Sequence, residues 1–211
     1  MSGSISQSEF DTLVREHGEW NRIGRDHGRQ LDLTRRSLRG LDLRGVALDG
    51  SILIEADLAG CDLTGADFTH ALMMGAKFQG ARLVDADLYK ANLTEADLSG
   101  ANLSAARLLR TDCPRAVMVE ATLDRCEVTK TFFLHTDLRR AQFRGARFSR
   151  TGFSEDKIGG ADFTGSTGYI LEGSTVVVED DGSPVDAVAA LNAAGAQVSE
   201  FRPGQQPEIG E

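Results

Sequence analysis

Large apolar residues recur at every fifth position over more than half of this chain. From Leu33 to Phe163, all 27 positions whose numbers end in 3 or 8 are Leu, Phe, Met, Ile, Val or Cys. Two residues before each stands a small one: 15 of these 27 are Ala and seven more are Ser, Thr or Cys. Leu31, Arg36, Leu41, Val46 and Asp156 interrupt that second row, near its two ends. The run "ADLAGCDLTGADFTH", residues 56–70, shows both rows in register.

Period five fits neither a helix nor a strand alone. It fits one short extended side followed by one tight turn. Residues two apart on such a side point the same way, so the large and the small residue both face inward. The remaining three positions face out. Eleven of the positions two after the large residue are Gly, the residue suited to a turn that needs positive φ. Four sides close a square coil of twenty residues. Coils stack through backbone hydrogen bonds, so none is stable alone. The predicted fold class is an all-β solenoid.

Residues 31–165 resemble the pentapeptide repeat proteins, whose pattern is Ala-(Asp/Asn)-Leu-X-X. The resemblance implies a right-handed quadrilateral β-helix. The 27 sides make roughly seven coils, a rod of about 32 Å at ~4.8 Å per coil.

The flanks read differently. Residues 1–30 hold a predicted helix over 6–23, with Phe10, Leu13, Val14 and Trp20 at helical spacing and Ser6 and Glu9 as a capping box, placed to cap the first coil. Residues 166–200 read as a small strand and helix segment. "STVVVEDDG" is a strand and turn. "SPVDAVAALNAAG" is a helix with Ser183 as N-cap, Pro184 first and Gly195 just past its end, and "AQVSEF" is a further strand. This segment either caps the coil in cis or builds a homodimer. Residues 201–211 read as a disordered tail.

Twenty residues separate the triplets Ile52-Leu53-Ile54 and Leu72-Met73-Met74, so they lie one above the other on one face, here face A. Their flanking members face out. Ile52, Ile54, Leu72 and Met74 form one predicted apolar patch, and Phe132 and Leu134 a second, which Val117 and Val119 extend on the adjoining face. Apolar surface confined to one face is expected to be covered, by a terminal segment, by a second copy or by a partner.

No catalytic motif, phosphate-binding loop, dinucleotide fingerprint or metal-ligand spacing occurs, so no enzyme, cofactor or metal is expected. His17, His27, His70 and His135 read as isolated surface histidines, and Cys61, Cys113 and Cys126 as inert core residues. The start lacks a basic region followed by an apolar run, no stretch is apolar enough to span a membrane, and three cysteines suit a reducing compartment. The expected location is the cytoplasm.

Net charge is −9, against simple binding to nucleic acid or an anionic membrane. Residues 46–105 carry −6, residues 106–165 carry +3 and the tail from 166 carries −7. Family members that protect bacterial DNA gyrase resemble a B-DNA rod in size and charge. By that resemblance Asp57, Asp62, Asp67, Asp85, Asp87 and Asp97 are candidate contacts to gyrase or another type II topoisomerase. Two readings follow. One is a DNA-mimicking protector of gyrase. The other is a general interaction scaffold whose partner docks on a face of the rod. Against the first, ten aspartates of the coil sit just before the central residue, where each can bond its own corner.

Overall fold

In a computed structural model, which describes residues 3–23, 28–178 and 183–201, the repeat is a β-solenoid with a helix at its start and a strand near its end. On face A, parallel bridges link Asp32, Ile52, Leu72, Asn92, Asp112 and Phe132 in steps of twenty residues, and Phe132 pairs with Gly152 below it. Faces B, C and D follow five, ten and fifteen residues later. The elements in chain order are α1 (Gln7–Ile23), β1 (Arg107–Leu109), β2 (Glu127–Thr129), β3 (Phe132–Leu134), β4 (Arg147–Ser154), β5 (Asp156–Lys157), β6 (Thr167–Leu171), β7 (Thr175–Val177), β8 (Val185–Asp186), α2 (Ala187–Ala193) and β9 (Gln197–Phe201). Face D continues as the parallel order β1-β2-β4-β6-β9.

Each corner is a four-residue turn. The N–H of Ala56, for example, donates to the carbonyl of Leu53 at 3.0 Å. The third turn residue has positive φ at all 27 corners from residue 35 to 165, as in a type II turn. Glycine fills 11 of them, and 16 hold Arg, Glu, His, Asp, Lys or Ala with φ of 52–59°. The stacked backbone thus imposes a left-handed conformation that L residues disfavour by roughly 1–2 kcal/mol. Glycine marks the corner in sequence, but the coil holds it with or without glycine.

The core is a column. All 27 large residues are at most 4% exposed. Towards the end of the rod it becomes aromatic, with Phe133 stacked on Phe153 at 5.2 Å and Phe143 on Phe163 at 4.9 Å. Thr and Cys replace Ala in the small row without leaving a bare polar group. The hydroxyls of Thr111, Thr131, Thr136 and Thr151 donate to the carbonyl 23 residues earlier at 2.6–2.9 Å, and the Cys126 thiol does the same at 2.9 Å. The pentad series ends at Gly168, where a Cβ would collide with the carbonyl of Phe148.

Both ends of the column are closed. Before α1, Ser4 bridges Ser37 and Ile5 is buried. The Gln7 amide bonds both the N–H and the carbonyl of Asp42, standing in for a missing coil. Ser6 Oγ accepts the N–H of Glu9 at 3.2 Å, but the Glu9 carboxylate turns to Arg36 and does not complete a capping box. Phe10 is buried over the first coil. At the other end, α2 buries Ala187 and Leu191, and β9 pairs with β6 as a last rung. The C-terminal segment therefore packs on its own coil. Its helix begins later than the sequence suggests: Val185 is taken by pairing with Val176, and the carboxylate of Asp186, not Ser183, accepts the N–H of Ala189. The expected disordered tail lies outside the described residues, save for Phe201.

Candidate interaction surface

Five of the six candidate aspartates are used inside the coil. The ladder leaves unbonded the N–H of the first residue after each central one, and an Asp or Asn just before the central residue accepts it. Asp57 accepts the N–H of Ala59, Asp62 that of Thr64, Asp67 that of Thr69, Asp87 that of Tyr89 and Asp97 that of Ser99, at 2.9–3.1 Å. This local bond is the physical content of the Asp/Asn in the repeat. Asp57, Asp62 and Asp87 also pair with Arg39, Arg82 and Arg107. The Thr64 hydroxyl and N–H hold the Asp62 carboxyl below its ordinary range. Burial pushes Asp57 and Asp97 upward, but hydrogen bonds from Arg39 and Ala59, and from Ser99 and Gln79, outweigh it and leave both low. Asp85 sits at an exposed corner instead.

The apolar candidates all face outward. Ile52 stacks directly on Leu72. Leu72, Phe132 and Leu134 are 39%, 42% and 38% exposed, and Ile52, Ile54, Met74, Val117 and Val119 are half-buried. With Ile or Leu in place of Asp before the central residue, the N–H groups of Ile54 and Met74 have no acceptor among the described residues. The Phe132 ring lies against Gly152, where a Cβ would sit 2.9 Å from its Cδ1, and Leu171 flanks the same glycine. With α1 and the C-terminal elements in place, Leu72, Phe132 and Leu134 remain open, although Trp20 of α1 reaches Gly50 beside Ile52.

The twenty-residue period also stacks charges. At the corner after face A, Arg35 pairs with Glu55 and Arg115 with Glu95, and the His135 ring lies 3.7 Å from the Glu155 carboxylate. Arg140–Glu120 and Arg147–Glu127 repeat the scheme elsewhere. The corner between faces D and A differs. It holds His70, Lys90, Arg110, Lys130 and Arg150 in succession, with no ion pair among the described residues. Reading by pentads hides this ladder; reading every twentieth residue reveals it.

Of the histidines, His17 is fully buried, contrary to its expected surface position, because it joins α1 to the first coil. His27 lies outside the described residues. The three cysteines are buried thiols, with Cys126 pushed up to about 12 by burial and Cys61 and Cys113 also raised by it. Among the described residues no group of three His, Cys, Asp or Glu is placed to hold a metal, and no helix is long and apolar enough to cross a membrane.

Comparison with known proteins agrees with this architecture. The family model for pentapeptide repeats matches residues 32–69, 42–80, 71–110 and 116–154, more than half of the chain. No curated protein sequence matches. Among solved structures, a pentapeptide repeat protein from the Arabidopsis thaliana thylakoid lumen is 30% identical over 49% of this chain and 69% of its own, with a TM-score of 0.45. QnrB1, a plasmid-mediated fluoroquinolone resistance protein, is 20% identical over 71% of each chain, with a TM-score of 0.44. HetL, involved in heterocyst differentiation regulation in the cyanobacterium Nostoc, is 26% identical over 74% of this chain and 87% of its own, with a TM-score of 0.27. With two rows in unbroken register, a left-handed residue at every corner and a family model spanning most of the rod, the chain belongs to the pentapeptide repeat family.

Proposed function

We propose that this protein is a non-enzymatic protein–protein interaction module, a capped rigid rod that receives its partner on face A. The observation that carries the reading is the exposure of Leu72, Phe132 and Leu134 on face A with both end segments in place. Local chemistry argues the same way. An Asp at residues 52 and 72 would close a backbone hydrogen bond and be hydrated. Ile52 and Leu72 forgo that bond and expose apolar surface, which is worth having when a partner removes it from water. A photo-reactive phenylalanine analogue at Phe132 is expected to cross-link a protein of one defined mass, and the same analogue at Gln142 on face C is not. Loss of the adduct in an Ile52→Thr, Leu72→Ser variant would locate the contact. Equal labelling from both faces would sink the reading.

A narrower reading is protection of DNA gyrase or another type II topoisomerase through the acidic stretch 46–105. It is supported by that stretch's charge of −6 and by Asp67 and Asp85, which have no cationic partner among the described residues. Supercoiling by purified gyrase, with and without a fluoroquinolone, tests it. Absence of any effect at micromolar excess removes gyrase and leaves the module.

A further inference from the structure

We propose that face A binds an amphipathic helix bearing an acidic stripe, gripped along the D–A edge by Lys90, Arg110, Lys130 and Arg150. The inference rests on the interaction-module reading and names the partner's chemistry.

The edge is a built ladder. Backbone bonds from His70, Lys90, Arg110 and Lys130 to the carbonyls of Tyr89, Leu109, Thr129 and Ser149 lock the rungs in register at 2.8–2.9 Å. Five basic side chains therefore project from one edge over about 19 Å, at ~4.8 Å per rung. Elsewhere on this rod, charges stacked twenty apart are mostly of opposite sign and pair. Here basic residues stack on one another, with no ion pair among the described residues. The ring of Tyr89 touches His70 and lies 5.1 Å from the Lys90 ammonium, and Phe201 lies 4.6 Å from the Arg150 guanidinium. The central pair, Arg110 and Lys130, has no such contact among the described residues. Asp112 is the one carboxylate in the outward row of face A beside the ladder.

Face A thus has two unlike borders. Its far corner neutralises itself through Arg35–Glu55 and Glu95–Arg115, while the near corner carries Lys90, Arg110, Lys130 and Arg150 in succession. Between them lie exposed Leu72 and Phe132, three rungs apart. Asn92 and Asp112 stand between these two apolar points, so a complementary surface offers apolar groups at both ends of its middle line and acidic ones along one side. A polynucleotide supplies the charge but leaves Leu72 and Phe132 in water. A protein segment supplies both. Its form follows from spacing. An α-helix repeats each face every 5.4 Å, close to the rung spacing, whereas same-side residues of an extended strand fall about 6.8 Å apart and lose register within two rungs.

The ladder's corner geometry makes a clean test. Glycine relieves the positive φ at residues 90, 110 and 130, so Lys90→Gly, Arg110→Gly, Lys130→Gly removes charge with no backbone penalty. The probe is a labelled synthetic helix of about 18 residues with adjoining Leu and Glu stripes, followed by fluorescence anisotropy at about 50 and 300 mM NaCl. Comparators are the same peptide with Ser for Leu, and an oligothymidine of equal charge. We expect the Leu–Glu helix to bind about tenfold more tightly than either comparator, and the triple-glycine protein to lose about tenfold in affinity together with its salt dependence. Unchanged binding by a folded triple-glycine protein overturns the proposal, as does equal or tighter binding of the oligothymidine or the Leu-free peptide. If the Phe132 cross-link persists while the glycine substitutions change nothing, the acidic helix is wrong and the interaction module stands. Without a face-specific cross-link, the module itself fails.

Discussion

The backbone N–H of Leu31 donates to Nδ1 of His17 across 3.1 Å. That bond sets the tautomer: the proton sits on Nε2, which donates to the carbonyl of Asp49 at 2.7 Å. One imidazole thus ties α1 to two segments of the first coil, with Trp20 stacked on it at 5.6 Å. His17→Ala leaves a buried N–H unpaired, at about 1–3 kcal/mol. We expect α1 to become protease-sensitive in this variant while the repeat ladder keeps its far-ultraviolet spectrum.

The core column tolerates no charge. Leu88→Asp and Ala91→Arg should abolish folding, since both sites are at most 1% exposed in a tube with no room or partner for an ion. Leu98→Ala should cost about 2–5 kcal/mol in denaturant titrations. A cooperative native melt from Leu88→Asp would refute the inward register.

The aspartates before the central residues act as backbone acceptors, so Asn should replace them and Ala should not. Asn at 57, 62, 67, 87 and 97 should leave the melting temperature within a few degrees of wild type. Ala at the same five sites should lower it by about a degree or two per site. The Asn set is thus the appropriate reagent for separating charge from fold in the gyrase assay.

Asp156 should make stability depend on pH. Burial raises its carboxyl to about 7, even though the N–H groups of Thr136 and Ser154 donate to it at 2.5 and 2.8 Å. Its unfolded value is about 3.9. The folded state therefore binds the extra proton between these values, and stability falls as pH rises from about 4 to about 7. Melting temperature should decline from pH 5 to 8 in the wild type, and much of that slope should vanish in Asp156→Asn. An equal slope in both would acquit this residue.

The apolar patches should be separable from stability. Leu72 is exposed with both end segments in place, so replacing Ile52, Ile54, Leu72 and Met74 with Ser and Thr should leave α1 and the C-terminal segment as protease-resistant as before. The expected loss is of the partner adduct at Phe132. If the cover is a second copy, sedimentation will show a dimer becoming a folded monomer.

The pentad rows alone determined the coil. A large residue every fifth place and a small one two before it leave a single inward register, and the backbone ladder follows from it. The patches on face A were legible for the same reason, since twenty residues make one turn of the rod. What tertiary structure decided lies between coils and at their ends. Local sequence does not say that Arg110 and Lys130 stack with no ion pair among the described residues while Arg115 and Glu95 pair, because those partners meet only across a coil. Nor does it say that His17 is buried, since its partners Leu31 and Asp49 belong to segments that α1 reaches only after folding back. The left-handed corners at Lys90 and Glu95 are likewise imposed from above and below, as neither residue chooses positive φ alone. The helix α2 starts at Ala187 because Val185 finds Val176, a pairing between strands that no cap motif announces.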